Sequence, residues 1–192
     1  DITVLHCHLN RQLKIASLHA PMAAAFNDGG YKNIYIKSLQ SALIGKKNNY
    51  VVKPHRYNKP GVTQGELVGG NLALLVNMIG TNSDLITKNK ILFIEDVGEY
   101  IYSIDRMVYQ LKRSGKLDNI AGLIIGGFAD MKDTERPFGK TVYAAINDII
   151  AEYKYPVCFD FPVSHGKKNV ALKVGGNYQL AIDHKQVKLS EI

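Results

Sequence analysis

Residues 90–111, KILFIEDVGEYIYSIDRMVYQL, place a strand, an acidic turn and a helix in immediate succession. Ile91, Leu92, Phe93 and Ile94 form an unbroken apolar run, the pattern of a strand covered on both faces in a parallel or mixed sheet. Glu95, Asp96 and Glu99 fall in the predicted turn, where Gly98 supplies backbone freedom. Ile101, Ile104, Met107, Val108 and Leu111 then recur at helical spacing. In open α/β sheets, ligands collect at the carboxyl ends of strands. Carboxylates at such a place can orient a histidine or hold a substrate amine. They can also merely cap and solvate the following helix, because acidic groups suit a helix start through its dipole.

The same alternation continues on both sides. Residues 1–13 read as a helix, with Asp1 or Thr3 near its cap and Val4, Leu5, Leu9 and Leu13 facing inward. A short strand over 14–19 leads into a loop that begins with HAPM, residues 19–22, and runs to Gly30; a helix over 34–43 and a strand over 50–53 follow. In GVTQGELVGGNLALLVNMIGT, residues 61–81, the pattern predicts a strand over 62–68, a tight turn at Gly69 and Gly70, and a helix over 71–79. A glycine turn ahead of a helix can cradle an oxyanion on backbone N–H groups, or can serve close packing alone. It is no nucleotide phosphate loop, because the Gly-Lys-Ser/Thr ending is missing. Residues 120–128, IAGLIIGGF, form another buried strand whose glycines allow a loop to approach closely. A helix over 141–153, a strand over 156–161, the loop PVSHGKKN over 162–169 and a hairpin joining 178–182 to 186–189 complete the chain. With no repeat, low-complexity tract or linker, residues 1–192 read as one α/β domain.

Composition narrows the function classes. The 192 residues are 46% hydrophobic and 21% charged, enough for one good core, and no apolar run approaches bilayer length. No signal peptide is evident at the start. The net charge of +7 raises the question of a polyanionic partner, yet the lysines are scattered, with Lys46-Lys47 and Lys167-Lys168 the densest pairs. No nucleic-acid module surrounds them, so a solvated basic surface is the better reading. Cys7 and Cys158 share no metal-ligand or redox spacing, which points to two reduced thiols in a cytoplasmic protein.

Among six histidines, His165 stands in a Ser-His-Gly turn just past a strand instead of on an apolar face. An imidazole there can exchange protons near neutrality and act as a general base if a carboxylate fixes its tautomer. Glu95 ends a different strand. If both strands run the same way, Glu95 and His165 meet above the sheet as orienter and base; otherwise His165 is an ordinary loop histidine. A nucleophile is missing from this pair, since no serine has an elbow setting and Ser164 is too close to His165 along the chain.

Taken in order, DITVLH, HAPM, GELVGGNLALL, ILFIEDVGEYIYSIDRMVYQL, AGLIIGGF and FPVSHGKKNVAL resemble the second half of the LD-carboxypeptidase family, which also includes the microcin C immunity peptidases. The resemblance covers nearly the whole chain. It implies the C-terminal half of a two-domain serine peptidase, folded as a swivelling β/β/α domain with a parallel or mixed central sheet. It further implies a Ser-Glu-His triad in which Glu95 and His165 take part, with Glu99 the other candidate for the glutamate. The family's serine precedes an Asp that matches Asp1, so the chain is expected to start just after the nucleophile, with Asp1 supplying a backbone oxyanion donor in the complete protein. The implied reaction removes a terminal D-alanine from cytoplasmic murein tetrapeptides during wall recycling, without metal or cofactor. Glu66, Asn71 and Glu99 are candidates by position for contacts to the zwitterionic substrate. The N-terminal domain of the same protein and a second copy in a homodimer are the expected partners, with no role for nucleic acid or membrane. The alternatives are an immunity-type peptidase, which needs an aromatic shelf, and a non-catalytic domain that binds wall peptides or dimerises.

Overall fold

The longest strand described, β3 (Gly61–Asn71), changes partners halfway along its length in the computed structural model, which describes residues 2–27 and 29–192. Residues 61–66 pair antiparallel with β8 (Asn177–Ile182), and residues 67–71 pair parallel with β4 (Ile91–Val97). The seven-stranded sheet is therefore mixed. Its order is β2 (Asn49–Val52), β9 (Val187–Glu191), β8, β3, β4, β5 (Gly122–Ala129) and β6 (Val157–Cys158). From β3 to β6 the ladders are parallel, as strand-helix-strand connections require. The crossovers carry α3 (Leu72–Asn77), α4 (Ile101–Arg113) and α5 (Val142–Ile149). From β2 to β8 the ladders are antiparallel and include the predicted hairpin. A small second sheet joins β1 (Ser17–His19) to β7 (Leu172–Val174).

Alternation along β4 divides the interior into two layers. Leu92 and Ile94 pack with Leu72, Leu75, Ile104, Val108, Leu111 and Ile146 on the helical face. Ile91 and Phe93 pack with Leu67, Phe161, Leu172, Tyr178, Leu180 and Leu189 on the other. Every one of those strand side chains is essentially solvent-free, which accounts for the continuous apolar run. Asn33 and Thr141 cap α2 (Ile34–Leu43) and α5 by accepting hydrogen bonds from Tyr35 N and Ala144 N.

Four expectations are corrected. Glu95 and Asp96 lie within β4, not in the turn after it. Gly69 and Gly70 are not a turn but part of β3, with φ of 141° and 150°. A Cβ on Gly69 would strike the Phe93 backbone, and one on Gly70 would come 2.7 Å from Thr3 Oγ1, so close packing excludes any larger residue. The first helix is α1 (Ile2–His8), followed by a π-helical turn over Leu9–Leu13; its inward side chains are Thr3, His6, Cys7 and Asn10, while Leu5 and Leu13 are each 56% exposed. The expected cap at Asp1 lies outside the described residues. Only Val157 and Cys158 of the strand expected over 156–161 join the ladder, because Asp160 turns the backbone to φ 56°.

Candidate active site

Alternation also decides where the two acidic residues of β4 point. Asp96 continues the face of Leu92 and Ile94 toward α3, where Oδ1 accepts from Asn71 Nδ2 at 2.7 Å and Val97 N at 2.8 Å, and Oδ2 accepts from Ala73 N at 3.0 Å. Asn71 Oδ1 accepts in turn from Leu74 N, and Asn71 N donates to Thr3 Oγ1. Glu95 follows Ile91 and Phe93 to the opposite face and is fully buried. Its Oε2 lies 2.6 Å from His165 Nδ1, while its Oε1 has no hydrogen-bond partner among the described residues.

His165 reaches Glu95 from a loop that is braced at each turn. Ser164 Oγ donates to Lys168 O and accepts from Gly166 N; Ser164 N donates to Asn169 Oδ1, and Val170 N to Pro162 O. The same segment is stitched to β5 by Phe161 N donating to Ile125 O and Gly127 N to Val163 O. The loop thus behaves as a fixed arm. The His165 side chain remains 43% exposed at the mouth of a cavity of about 780 Å³. The cavity wall also includes Thr3, His19, Met22, Asn33, Ser164, Lys167 and Asn169.

Burial raises the Glu95 carboxyl above its ordinary range, and the hydrogen bond from His165 pulls it partly back. When Glu95 is ionised it is acceptor-only, so Nδ1 carries the proton and Nε2 is left as the acceptor. His19 is pushed down to about 4, first by burial and then by His6 and His165, and is neutral at physiological pH. Its ring meets Phe93 edge-on at 5.3 Å, and its buried Nε2 has no hydrogen-bond partner among the described residues. A buried carboxylate, an imidazole with one nitrogen available, and a cavity beside them make a general-base arrangement.

The structure brings Glu95 and His165 together across 70 residues of chain. Glu66, Asn71 and Glu99 are not among the described residues lining the cavity. Glu66 Oε1 takes Asn10 Nδ2 at 2.6 Å and Lys90 Nζ at 2.9 Å, and Asn71 caps α3. Asp1 lies outside the described residues. Sequence reasoning passed over His19 and Asn33; His19 sits in the quoted HAPM motif, which was the available signal. Among the described residues, no three His, Cys, Asp or Glu side chains gather as metal ligands. No helix among them is long and apolar enough to cross a membrane. Cys7 and Cys158 are free and buried, and burial raises both thiols to about 12.

Comparison with known proteins gives this geometry its context. The sequence profile of the LD-carboxypeptidase C-terminal domain matches residues 64–180. A Bacillus subtilis protein named "Probable murein peptide carboxypeptidase" is 32% identical over 180 residues, covering 91% of this chain and 56% of that protein. The murein tetrapeptide carboxypeptidase of Pseudomonas aeruginosa is 34% identical over 190 residues, covering 91% of this chain and 59% of its own length. The crystal structure of muramoyltetrapeptide carboxypeptidase from Oxalobacter formigenes superposes with a TM-score of 0.88 at 27% identity, over 100% of this chain and 65% of that one. The chain thus spans a little over half the length of the curated relatives it matches. On profile, identity and fold together, the chain belongs to the LD-carboxypeptidase family, as its C-terminal domain.

Proposed function

We propose that this chain supplies the glutamate and histidine of a Ser-Glu-His triad in a serine LD-carboxypeptidase, which removes the terminal D-alanine from murein tetrapeptides in the cytoplasm during wall recycling. The observation that carries the reading is the 2.6 Å contact between His165 Nδ1 and buried Glu95 Oε2 at the edge of the cavity. The names of the relatives, carboxypeptidases of murein peptides, support the substrate class. The serine comes from an N-terminal domain of the same protein. As its hydroxyl attacks the carbonyl carbon, the proton passes to His165 Nε2; Glu95 holds the tautomer and stabilises the imidazolium that forms. The backbone N–H of Asp1, inside an intact peptide bond, is an oxyanion donor. On collapse of the tetrahedral intermediate, His165 returns the proton to the departing D-alanine amine. Of the three polar candidates for substrate contact, Glu99 is the one with no structural duty described above. The complete protein acts as a homodimer.

The test is release of D-alanine from a murein tetrapeptide by this chain joined to the amino-terminal portion of its relatives, beside the chain by itself and the joined His165→Ala variant. Release by the joined protein alone is expected. No release from the joined, folded protein overturns the peptidase reading and favours a domain that binds wall peptides.

A further inference from the structure

Glycine is expected where backbone must turn into the left-handed region, yet neither Gly126 nor Gly127 in β5 has a positive φ. Their backbone is open to any residue, so another constraint operates. The ladder supplies the first clue: Ile94 pairs with Ile125 but Asp96 with Phe128, so Glu95 alone lies opposite both Gly126 and Gly127. Such a two-against-one shift bends a strand locally and re-aims its neighbours. The surroundings supply the second. A Cβ on Gly126 would collide with the Val163 carbonyl oxygen, come 2.8 Å from Val163 Cγ1 and lie 3.1 Å from Glu95 Cβ. On Gly127 it would come 2.7 Å from Ser164 Cβ and 3.2 Å from Ser164 Oγ. One methyl group on either residue would press on the arm that carries His165, and on Gly126 it would press on both partners at once.

We propose that the Gly126–Gly127 pair is a positioning element, whose missing side chains let the 161–165 segment settle against β5 at the depth where His165 Nδ1 meets Glu95. This rests on the peptidase reading for its catalytic meaning, but not for its geometry. Gly127 N, donating to Val163 O at 2.9 Å, is the tie that fixes that depth. The pair touches no substrate; it acts through Glu95 and His165.

The tautomer of His165 reports the arrangement directly, because a free neutral imidazole favours the Nε2–H form and only a partner such as Glu95 holds the proton on Nδ1. Ring ¹⁵N shifts of this chain distinguish the two without requiring the labile proton to be visible. The Nδ1–H form is expected in the unaltered chain and in Gly122→Ala, a substitution in the same strand β5 whose Cβ would crowd Thr63 of β3 and Leu180 of β8 but not the loop. Gly126→Ala and Gly127→Ala should move the shifts toward the Nε2–H form while the spectrum stays dispersed. In a background of Ser164→Gly, where the obstructing Cβ is gone, adding Gly127→Ala should leave the shifts where Ser164→Gly alone puts them. In the complete protein, Gly126→Ala should lower kcat about 100-fold with KM within roughly 3-fold. A folded Gly126→Ala or Gly127→Ala chain with unchanged ring shifts overturns the proposal, as does an equal change in Gly122→Ala. Should the single variants not fold, the Ser164→Gly pair decides it: equal shifts support the proposal and unequal shifts overturn it. Altered tautomers in the glycine variants, together with no D-alanine release by the joined protein that carries neither substitution, would sink the peptidase reading and leave the positioning intact.

Discussion

Two neighbouring carboxylates at the end of β4 receive opposite treatment. On the α3 side, both oxygens of Asp96 are engaged by Asn71, Ala73 and Val97, and the arrangement closes on itself. On the cavity side, Glu95 is equally buried, yet among the described residues it has one partner for two oxygens, and that partner stands half in solvent. A fully satisfied buried carboxylate stabilises a fold, whereas an under-satisfied one costs stability and persists where function holds it. The α3 shoulder is therefore read as structure and the His165 side as chemistry.

If that division is right, removing a group from each side must fail in different ways. His165→Ala in the complete protein should lower kcat about 10⁴-fold, with Tm nearly unchanged, because the ring is half exposed and packs little; a loss below about tenfold would break the division. Asp96→Ala should do the reverse. It strips the helix cap from Ala73 N and leaves the buried Asn71 Nδ2 unpaired, a cost of about 3 kcal/mol. For a chain of this size Tm should fall by roughly 10 °C in calorimetry, with the surviving folded fraction retaining its kcat. A fall in kcat without a fall in Tm would move Asp96 to the catalytic side.

A smaller effect of opposite sign is expected at Glu95. Burial raises its carboxyl, so ionisation burdens the folded state more than the unfolded chain. The contribution to stability is then fully present below the ordinary carboxylate range and is lost as pH rises through the folded-state value. Glutamine never ionises and still offers an oxygen to His165 Nδ1. Glu95→Gln should therefore raise Tm at about pH 8, with the gain shrinking toward about pH 4, while abolishing turnover in the complete protein. A lower Tm at the higher pH would mean that the Glu95–His165 bond outweighs desolvation, and would make Glu95 as structural as Asp96.

The sequence revealed this contrast unevenly. The apolar run of β4 was legible because a strand buried on both faces leaves a distinctive record, and the hairpin of β8 and β9 because alternation is local. The inward face of α1 was not. Periodicity chose Leu5 and Leu13, whereas the buried side of this segment carries Thr3, His6 and Asn10, each hydrogen-bonded to a distant partner: Asn71, Ser17 and Glu66. Gly69 and Gly70 suggested a turn because a glycine pair has the same appearance whether it bends the chain or admits a neighbour, and the neighbours, Phe93 and Thr3, are visible only in the folded structure. Glu95 and His165 could be named from their strand ends and from the family resemblance. Their meeting depended on sheet order, which one sequence does not encode locally.

The least perturbing change tests the division at the other end of β3. Glu66 was a candidate for substrate contact, and its carboxylate is held by Asn10 and Lys90, linking the π-helical turn over Leu9–Leu13 to the base of β4. The Glu66 side chain is 31% exposed and Lys90 17%, so solvent screens the pair and its net worth is under about 1 kcal/mol. Glu66→Gln keeps an acceptor for Asn10 Nδ2 and removes only the charge opposite Lys90. Tm should shift by no more than about 3 °C, and KM for the tetrapeptide should be unchanged. A several-fold rise in KM at constant Tm would instead give Glu66 a hold on the substrate's ammonium group, and would extend the functional side of the sheet well beyond the cavity at His165.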